Sequence, residues 1–411
     1  LVLVGALGIV AVGLLGGGAA VLFALLEPGS DQVHIITLGF SLLALTLVLG
    51  SALAWQSWQS IQGRGSGRFQ MRRVWLLVVG YVLVLAVGQL VLSLDMLTPL
   101  VFPILHVAAA SLPPLIVLAL VGHVLREHAR WRGIVLQLGS GALLSTGLAF
   151  ILEVVFGLIL LVAVAAVLAM QSGGLETLQT VAEGLQDPAW IQDPVNLAPL
   201  VSLPPVVGGL LLLVAGIVPL VEEGVKTLGV AFLTYKRPGL SRAFLWGVAS
   251  GAGFALAENL LNVAGEFDSW APLVLLRVGA SLLHCLTGGL MGMAWHQVLV
   301  RRQWVRGFGL FVASTGIHGA WNALAAVMAL ASLWALGGET TGADWALAGL
   351  GSALILVLLI ALALAAGLGL LGLAIYLRRR SSPKPSTEGD VTGSLPGQGE
   401  TESPVGQAFQ P

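Results

Sequence analysis

Ten stretches of this chain are apolar over at least the length a helix needs to cross a bilayer, which excludes a soluble fold. About 20 apolar residues cover the ~30 Å hydrocarbon core, and the runs lie at roughly 3–26, 35–55, 74–94, 99–124, 134–169, 206–235, 243–264, 271–299, 308–332 and 346–377. Charged residues make up only 9% of the chain and hydrophobic ones 57%, whereas a soluble domain carries about 25% charged residues. No single core could use so much apolar sequence. Ten-residue segments of alternating hydrophobicity, the mark of a membrane β-barrel, are absent. The expected fold is an all-α integral membrane protein with about ten transmembrane helices.

The basic residues give the orientation, because positive charge stays on the cytoplasmic side. Arg64, Arg68, Arg72 and Arg73 lie between spans 2 and 3, and Arg126, Arg130 and Arg132 between spans 4 and 5. Lys236, Arg237 and Arg242 separate spans 6 and 7, and Arg301, Arg302 and Arg306 separate spans 8 and 9. Arg378, Arg379, Arg380 and Lys384 follow span 10, so 17 of the 19 basic residues fall on one side. The opposite loops hold Glu27, Asp31, Asp95, Glu176, Glu183, Asp187, Asp193, Glu266, Asp268, Glu339 and Asp344, with no Lys or Arg. Both termini are therefore expected to be cytoplasmic. The chain opens at Leu1 without methionine, and a few preceding residues are expected.

Four parts follow along the chain. Residues 1–170 carry spans 1–5, mostly Leu, Val, Ala and Gly, with His106 and Glu153 as the main polar exceptions. Residues 171–205 form an extracytoplasmic loop whose stretch 174–186 reads as a short amphipathic surface helix. Residues 206–377 hold spans 6–10 and nearly all the chemistry. Residues 378–411 read as a disordered cytoplasmic tail, being rich in Ser, Pro, Gly and Thr. Span 6 is about 45 Å long at 1.5 Å per residue, so it must tilt, protrude or break, and Pro219 is the expected kink.

Polar residues cluster in four consecutive spans. Span 6 has Glu222, Glu223 and Lys226; span 7 has Glu258, Asn259 and Asn262; span 8 has Arg277, Ser281, His284 and His296; span 9 has His318 and Asn322. Spacing of four puts Glu222 with Lys226, Glu258 with Asn262, and His318 with Asn322 on common helix faces. Counting from each span's cytoplasmic basic residue, Glu222 is 14 residues in, Glu258 16, His284 17 and His318 12. Those counts correspond to roughly 18–26 Å along a helix, so carboxylates and imidazoles from four helices meet at nearly one depth. Ionisable groups in a bilayer cost on the order of 2.5–3.5 kcal/mol each and face a bundle interior or water. Such a cluster suits general acid–base work, and Glu with His also suits a divalent metal such as zinc. The single Cys285 excludes an internal disulfide or a cysteine-based zinc site.

Glu222-Glu223-x-x-Lys226, then Phe254-x-x-x-Glu258-Asn259, then His284 and His318 on the next two helices, resembles the PrsW intramembrane proteases. That family is similar to the CAAX prenyl proteases and bacteriocin-immunity proteins. The resemblance covers roughly 205–330, with spans 1–5 and the tail outside it. It implies hydrolysis of a peptide bond in a membrane-bound protein substrate, with Glu222, Glu223, Glu258, His284 and His318 as catalytic residues. One glutamate would activate water, and His or Asn would stabilise the oxyanion. Lys226, Asn259, Asn262, Arg277 and Asn322 would support them, and a metal, if used, would draw on Glu223, Glu258, His284 and His318. The best-studied role in the family is the first cut of a membrane-spanning anti-sigma factor.

Structural readings stand beside these. Glu222, Glu223 and Lys226 also fit an ion-pair lock between helices, and Glu258-Asn259 an interhelical hydrogen-bond device. Arg277 reads as a counter-charge or substrate-positioning group, His296 as interfacial, and Glu153 and His106 as structural. Trp321 and Phe254 are expected to pack against the site, and Cys285 to point away from it. Two rivals to a protease are a non-catalytic scaffold of the same superfamily and a transporter or ion pathway. The expected setting is the bacterial plasma membrane, with the lipid bilayer and a protein substrate as partners and no nucleic acid.

Overall fold

A computed structural model describes residues 2–381 except 27, 28, 30, 31, 72, 95, 96, 188, 191, 192, 263, 265, 266 and 338–341. Glu27, Asp31, Arg72, Asp95, Glu266, Glu339 and the tail 382–411 therefore lie outside the described residues. Among the described residues, ten helices are long and apolar enough to cross a membrane. They are α1 Val2–Leu26, α2 Gln32–Ile61, α3 Val74–Leu94, α4 Thr98–Leu125 and α5 Trp131–Ala169. After the surface helix Gly174–Gly184 come α6 Pro204–Lys236, α7 Leu240–Asn262 and α8 Trp270–Val300, then α9 Trp304–Gly337 and α10 Gly342–Ser381. The helices overrun several expected spans, α2 to residue 61 rather than 55 and α9 from 304 rather than 308. Apolar runs stop at interfacial Trp, Gln and Ser, while the backbone helix continues past the interface. Likewise Arg378, Arg379 and Arg380, assigned to the tail from sequence, form the last turn of α10.

The charge sorting has a structural counterpart. Arg68 and Arg130 pair through their backbones, Arg132 donates to Arg64 O at 2.8 Å, and Arg242 bonds Glu127 at 3.0 Å. Glu127, Gly239, Arg301, Arg306 and Arg380 line one depression. All five basic segments thus meet at one end of the bundle.

Helix α7 is its axis. The most apolar stretch of α7 is 89% buried, against 6% for α3, α5 and α6, which present Leu, Val and Phe outward. Glycine makes the close packing of α7 on α8 possible. A Cβ on Gly247 would fall 2.1 Å from Gly288 O, one on Gly251 2.1 Å from His284 O, and one on Gly292 2.3 Å from Ala243 O. These small-residue pairs four apart let two membrane helices touch backbone to backbone. The carbonyl of His284 rests on Gly251, so this contact sets where the imidazole stands.

Among the described helices α5, α6 and α8 are interrupted, the first two beside the polar cluster and the last at the basic end. Wide π turns interrupt α5 at Ser140–Ser145, α6 at Leu212–Ile217 and α8 at His296–Val300. The expected kink of α6 lies just ahead of Pro219, in the π turn, and a second break follows at Thr227 (φ −113°, ψ 25°). Backbone groups freed inside a membrane must find partners. At the second break Lys226 O accepts from Ser250 Oγ at 2.6 Å and Ser145 Oγ at 3.2 Å, while Thr227 Oγ1 accepts from Trp295 Nε1 at 2.9 Å. Replacing Ser145 and Ser250 together by alanine orphans that carbonyl and is expected to cost about 1–3 kcal/mol. Denaturant unfolding in detergent checks it; an unchanged midpoint would mean the carbonyl is satisfied in another way.

Candidate functional site

The Glu222-Glu223-x-x-Lys226 motif of α6 occupies the segment Val218–Lys226, held between the two breaks. Prolines and asparagines from different helices fix its surroundings. Pro219 has no N–H for Ala215 O, and Gly319 of α9 packs against that carbonyl, where a Cβ would come within 2.5 Å. Asn322, one turn on, donates to Val214 O at 3.0 Å. Helix α9 therefore docks on the kink of α6 through the two sides of the His318 motif. Asn259 acts in the same way on α4. Pro114 frees Ala110 O, and Asn259 Nδ2 donates to it at 3.1 Å and to Ser281 Oγ at 3.1 Å. Two of the three asparagines expected to support the site, Asn259 and Asn322, are thus engaged with neighbouring helices.

Glu222, Glu223, Lys226, His284 and His318 are all buried, and they form one connected network. Lys226 Nζ donates to Glu223 Oε1 at 2.5 Å and lies 2.9 Å from His284 Nδ1, with the Phe254 ring centroid 4.8 Å away. Glu223 Oε1 also accepts from Thr287 Oγ1 at 3.0 Å and from His318 Nδ1 at 2.9 Å. His284 Nε2 meets Glu258 Oε2 at 2.7 Å. Glu258 in turn pairs with Arg277 at 2.9 Å and accepts from Asn262 at 3.3 Å. Arg277 Nε donates to Asn259 Oδ1 at 2.7 Å. Every site residue expected from sequence except Asn322 falls in this chain of contacts, and Asn322 holds its frame.

Proton placement follows from the partners. An ammonium can only donate, so His284 Nδ1 accepts from Lys226 and its Nε2–H donates to Glu258. A carboxylate accepts, so His318 Nδ1 carries the proton given to Glu223 and Nε2 keeps its lone pair. That lone pair faces Glu222 Oε2 across 3.7 Å. Glu222 Oε2 is buried without a hydrogen bond, its nearest ammonium, Lys226, being 3.8 Å away. Two acceptors turned toward each other leave a place for a proton or a metal cation between them.

The residues fit a divalent metal on that ground. Ligand atoms of Glu222, His284 and His318 all lie within 4.8 Å of one another. Glu223 and Glu258, grouped with the histidines as ligands in the sequence reading, instead hydrogen-bond those histidines. Carboxylates in that place orient a metal-binding imidazole and raise its basicity. Thr287, Ser145 and Ser250 fall outside the cluster read from sequence, although Thr287 sits one turn after His284 on the same helix.

The other residues fall as follows. His106 is bonded at both nitrogens, receiving Trp270 Nε1 at 3.1 Å and reaching Leu260 O at 3.2 Å. Cys285 is buried in an apolar cluster with Phe244, Leu286 and Leu370. His296 is buried at the basic end, and Trp321 packs on Ala280, Leu283 and Leu359. Glu153 has its Oε1 buried without a hydrogen-bond partner.

No curated protein and no solved structure matches the chain. The match to a family model takes in more than the resemblance read from the motifs, adding α5 and much of α10. Helix α5 belongs with the site physically, since its Ser145 holds the carbonyl at the break of α6. That model, the PrsW family intramembrane metalloprotease, covers residues 129–364, over half of the chain, and this multi-pass membrane protein belongs to that family.

Proposed function

We propose that the protein hydrolyses a peptide bond of a single-span membrane protein, with both its own termini on the cytoplasmic side of a bacterial plasma membrane. One observation carries this reading. Four successive helices bring three carboxylates, two imidazoles, an ammonium and a guanidinium into a single largely buried network, with Glu222 Oε2 and the His318 lone pair turned toward each other. A scaffold would need the ion pairs but not a carboxylate oxygen left free. Charge sorting supports the orientation and puts the site in the outer half of the membrane. The family resemblance makes a regulatory protein of the anti-sigma-factor type the first substrate to test.

Glu222 and His318 would hold a divalent metal such as zinc together with His284 Nδ1, once Lys226 turns from that nitrogen to Glu223 alone. When bound, such an ion supplies Lewis-acid polarisation of the scissile carbonyl and a lowered pKa for water. The chain does the rest. Lys226 and Thr287 fix Glu223 Oε1, which leaves Glu223 Oε2 without a partner and able to take a proton from water and return it to the leaving amine. Glu223 also keeps the His318 proton on Nδ1, and Glu258, held by Arg277, orients His284. The low-dielectric surroundings strengthen each of these contacts.

Protein in lipid nanodiscs, given single-span substrates, tests the proposal. Cleavage is expected in the wild type, to fall about 10²-fold in His318→Ala, and to respond to chelator with recovery on added zinc. Equal cleavage by wild type and His318→Ala would sink it. Loss in the variant with no response to chelator would favour a glutamate-only mechanism.

A further inference from the structure

Glu153 stands on a helix that otherwise faces lipid. Its neighbours Phe150 and Ile151 are exposed, but Ser145, Ala149, Glu153 and Gly157 recur every four residues on one face. That face meets α6: Ser145 bonds Lys226 O, Ala149 is buried, and Gly157 lies 3.9 Å from Leu213 by its Cβ position. Glu153 is therefore turned to the catalytic segment, with Oε1 buried and lacking a hydrogen-bond partner. A charge left alone at membrane depth marks a functional group by default.

Charge counting says what it is for. Among the described span interiors the site holds four carboxylates, Glu153, Glu222, Glu223 and Glu258, and two permanent cations, Lys226 and Arg277. Glu223 pairs with Lys226 at 2.5 Å and Glu258 with Arg277 at 2.9 Å. Glu222 and Glu153 remain, each with a buried oxygen lacking a hydrogen-bond partner; ionised together, they leave two negative charges in excess. One divalent cation cancels them; either carboxylate alone would leave a metal centre with one uncompensated positive charge in a low-dielectric interior.

We propose that Glu153 is the second anionic partner of the divalent ion held by Glu222, His284 and His318. The inference rests on the metal reading above but is tested without any substrate. Metal-stripped protein in nanodiscs is titrated with zinc against a chromophoric chelator, and its thermal midpoint is recorded with and without zinc. Glu153→Gln is expected to bind zinc about 10–100-fold more weakly, the range for residues that support metal ligands, and Glu153→Asp to recover most of that loss. The metal-free midpoint of Glu153→Gln should equal or exceed that of the wild type, because an unpaired carboxylate has gone, while the rise on adding zinc shrinks. A merely structural residue would lower both midpoints together. Glu153→Met, similar in length and also uncharged, is the second variant and should behave as glutamine does. Wild-type affinity in Glu153→Gln, with binding lost in Glu222→Gln, overturns this inference and leaves the metal reading standing. No zinc binding by the wild type, with cleavage intact, overturns both.

Discussion

Glu222→Gln and Glu223→Gln are each expected to lower kcat/KM by about 10³-fold, yet to move stability in opposite directions. The activity loss follows from the roles proposed for them, a metal ligand at Glu222 and the base at Glu223, removal of a base costing about 10²–10⁴-fold. The stability effects follow from the contacts. Glu222 Oε2 has no hydrogen bond, and its nearest cation is 3.8 Å away. A neutral amide there removes an under-compensated charge, so metal-free Glu222→Gln should unfold at or above the wild-type midpoint. Glu223 holds Lys226 at 2.5 Å, His318 at 2.9 Å and Thr287 at 3.0 Å on one oxygen. Its loss leaves a fully buried ammonium without its main partner, at a cost of about 3–5 kcal/mol.

Glu223→Gln combined with Lys226→Met separates the two effects. The double variant removes both buried charges and should regain most of the stability, but none of the activity. Chemical denaturation of the detergent-solubilised protein reads the first, and cleavage in nanodiscs the second. Stability lost equally in both single glutamine variants would show that Lys226 is shared evenly between the glutamates. The proton and metal roles assigned to the pair would then have to be exchanged or merged.

The charge pattern made the helices and their common basic end legible, because bilayer thickness and the placement of Arg and Lys leave little freedom. The site was legible for a related reason. Glu222, Glu258, His284 and His318 had to stand at one depth, and depth can be counted from a basic residue along a helix. Their pairing could not be counted. Sequence grouped Glu223 and Glu258 with the histidines as ligands because type and depth are blind to which oxygen faces which nitrogen. The breaks were half visible: Pro219 announced the kink in α6, but nothing local announced the π turns or Thr227. Those depend on Ser145, Ser250 and Asn322 arriving from other helices to take up the freed carbonyls. Glu153 reads as structural from sequence because no motif surrounds it, although an isolated acid in a Leu- and Val-rich span is itself a signal.

Gly251→Val is expected to leave little folded protein, and Gly251→Ala to fold but to lose about 10²-fold in kcat/KM. A Cβ at this position would sit 2.1 Å from His284 O and 2.9 Å from its carbonyl carbon, backbone atoms that cannot rotate aside. Alanine must push α8 away from α7, at the 1–3 kcal/mol typical of overpacking. The branched valine meets the same wall with two further carbons. Displacing α8 moves His284 relative to Glu258 and Lys226, and a misplacement of about 1 Å at a reacting group costs on the order of 10²-fold. Gly309→Ala is the control, since a Cβ there meets nothing within 4 Å; its stability and activity should match the wild type. Size-exclusion behaviour and thermal unfolding report the fold, and cleavage reports the position of the imidazole. Should Gly251→Ala cleave at the wild-type rate, His284 is not held by the helix contact, and its place in the site depends on Glu258 alone.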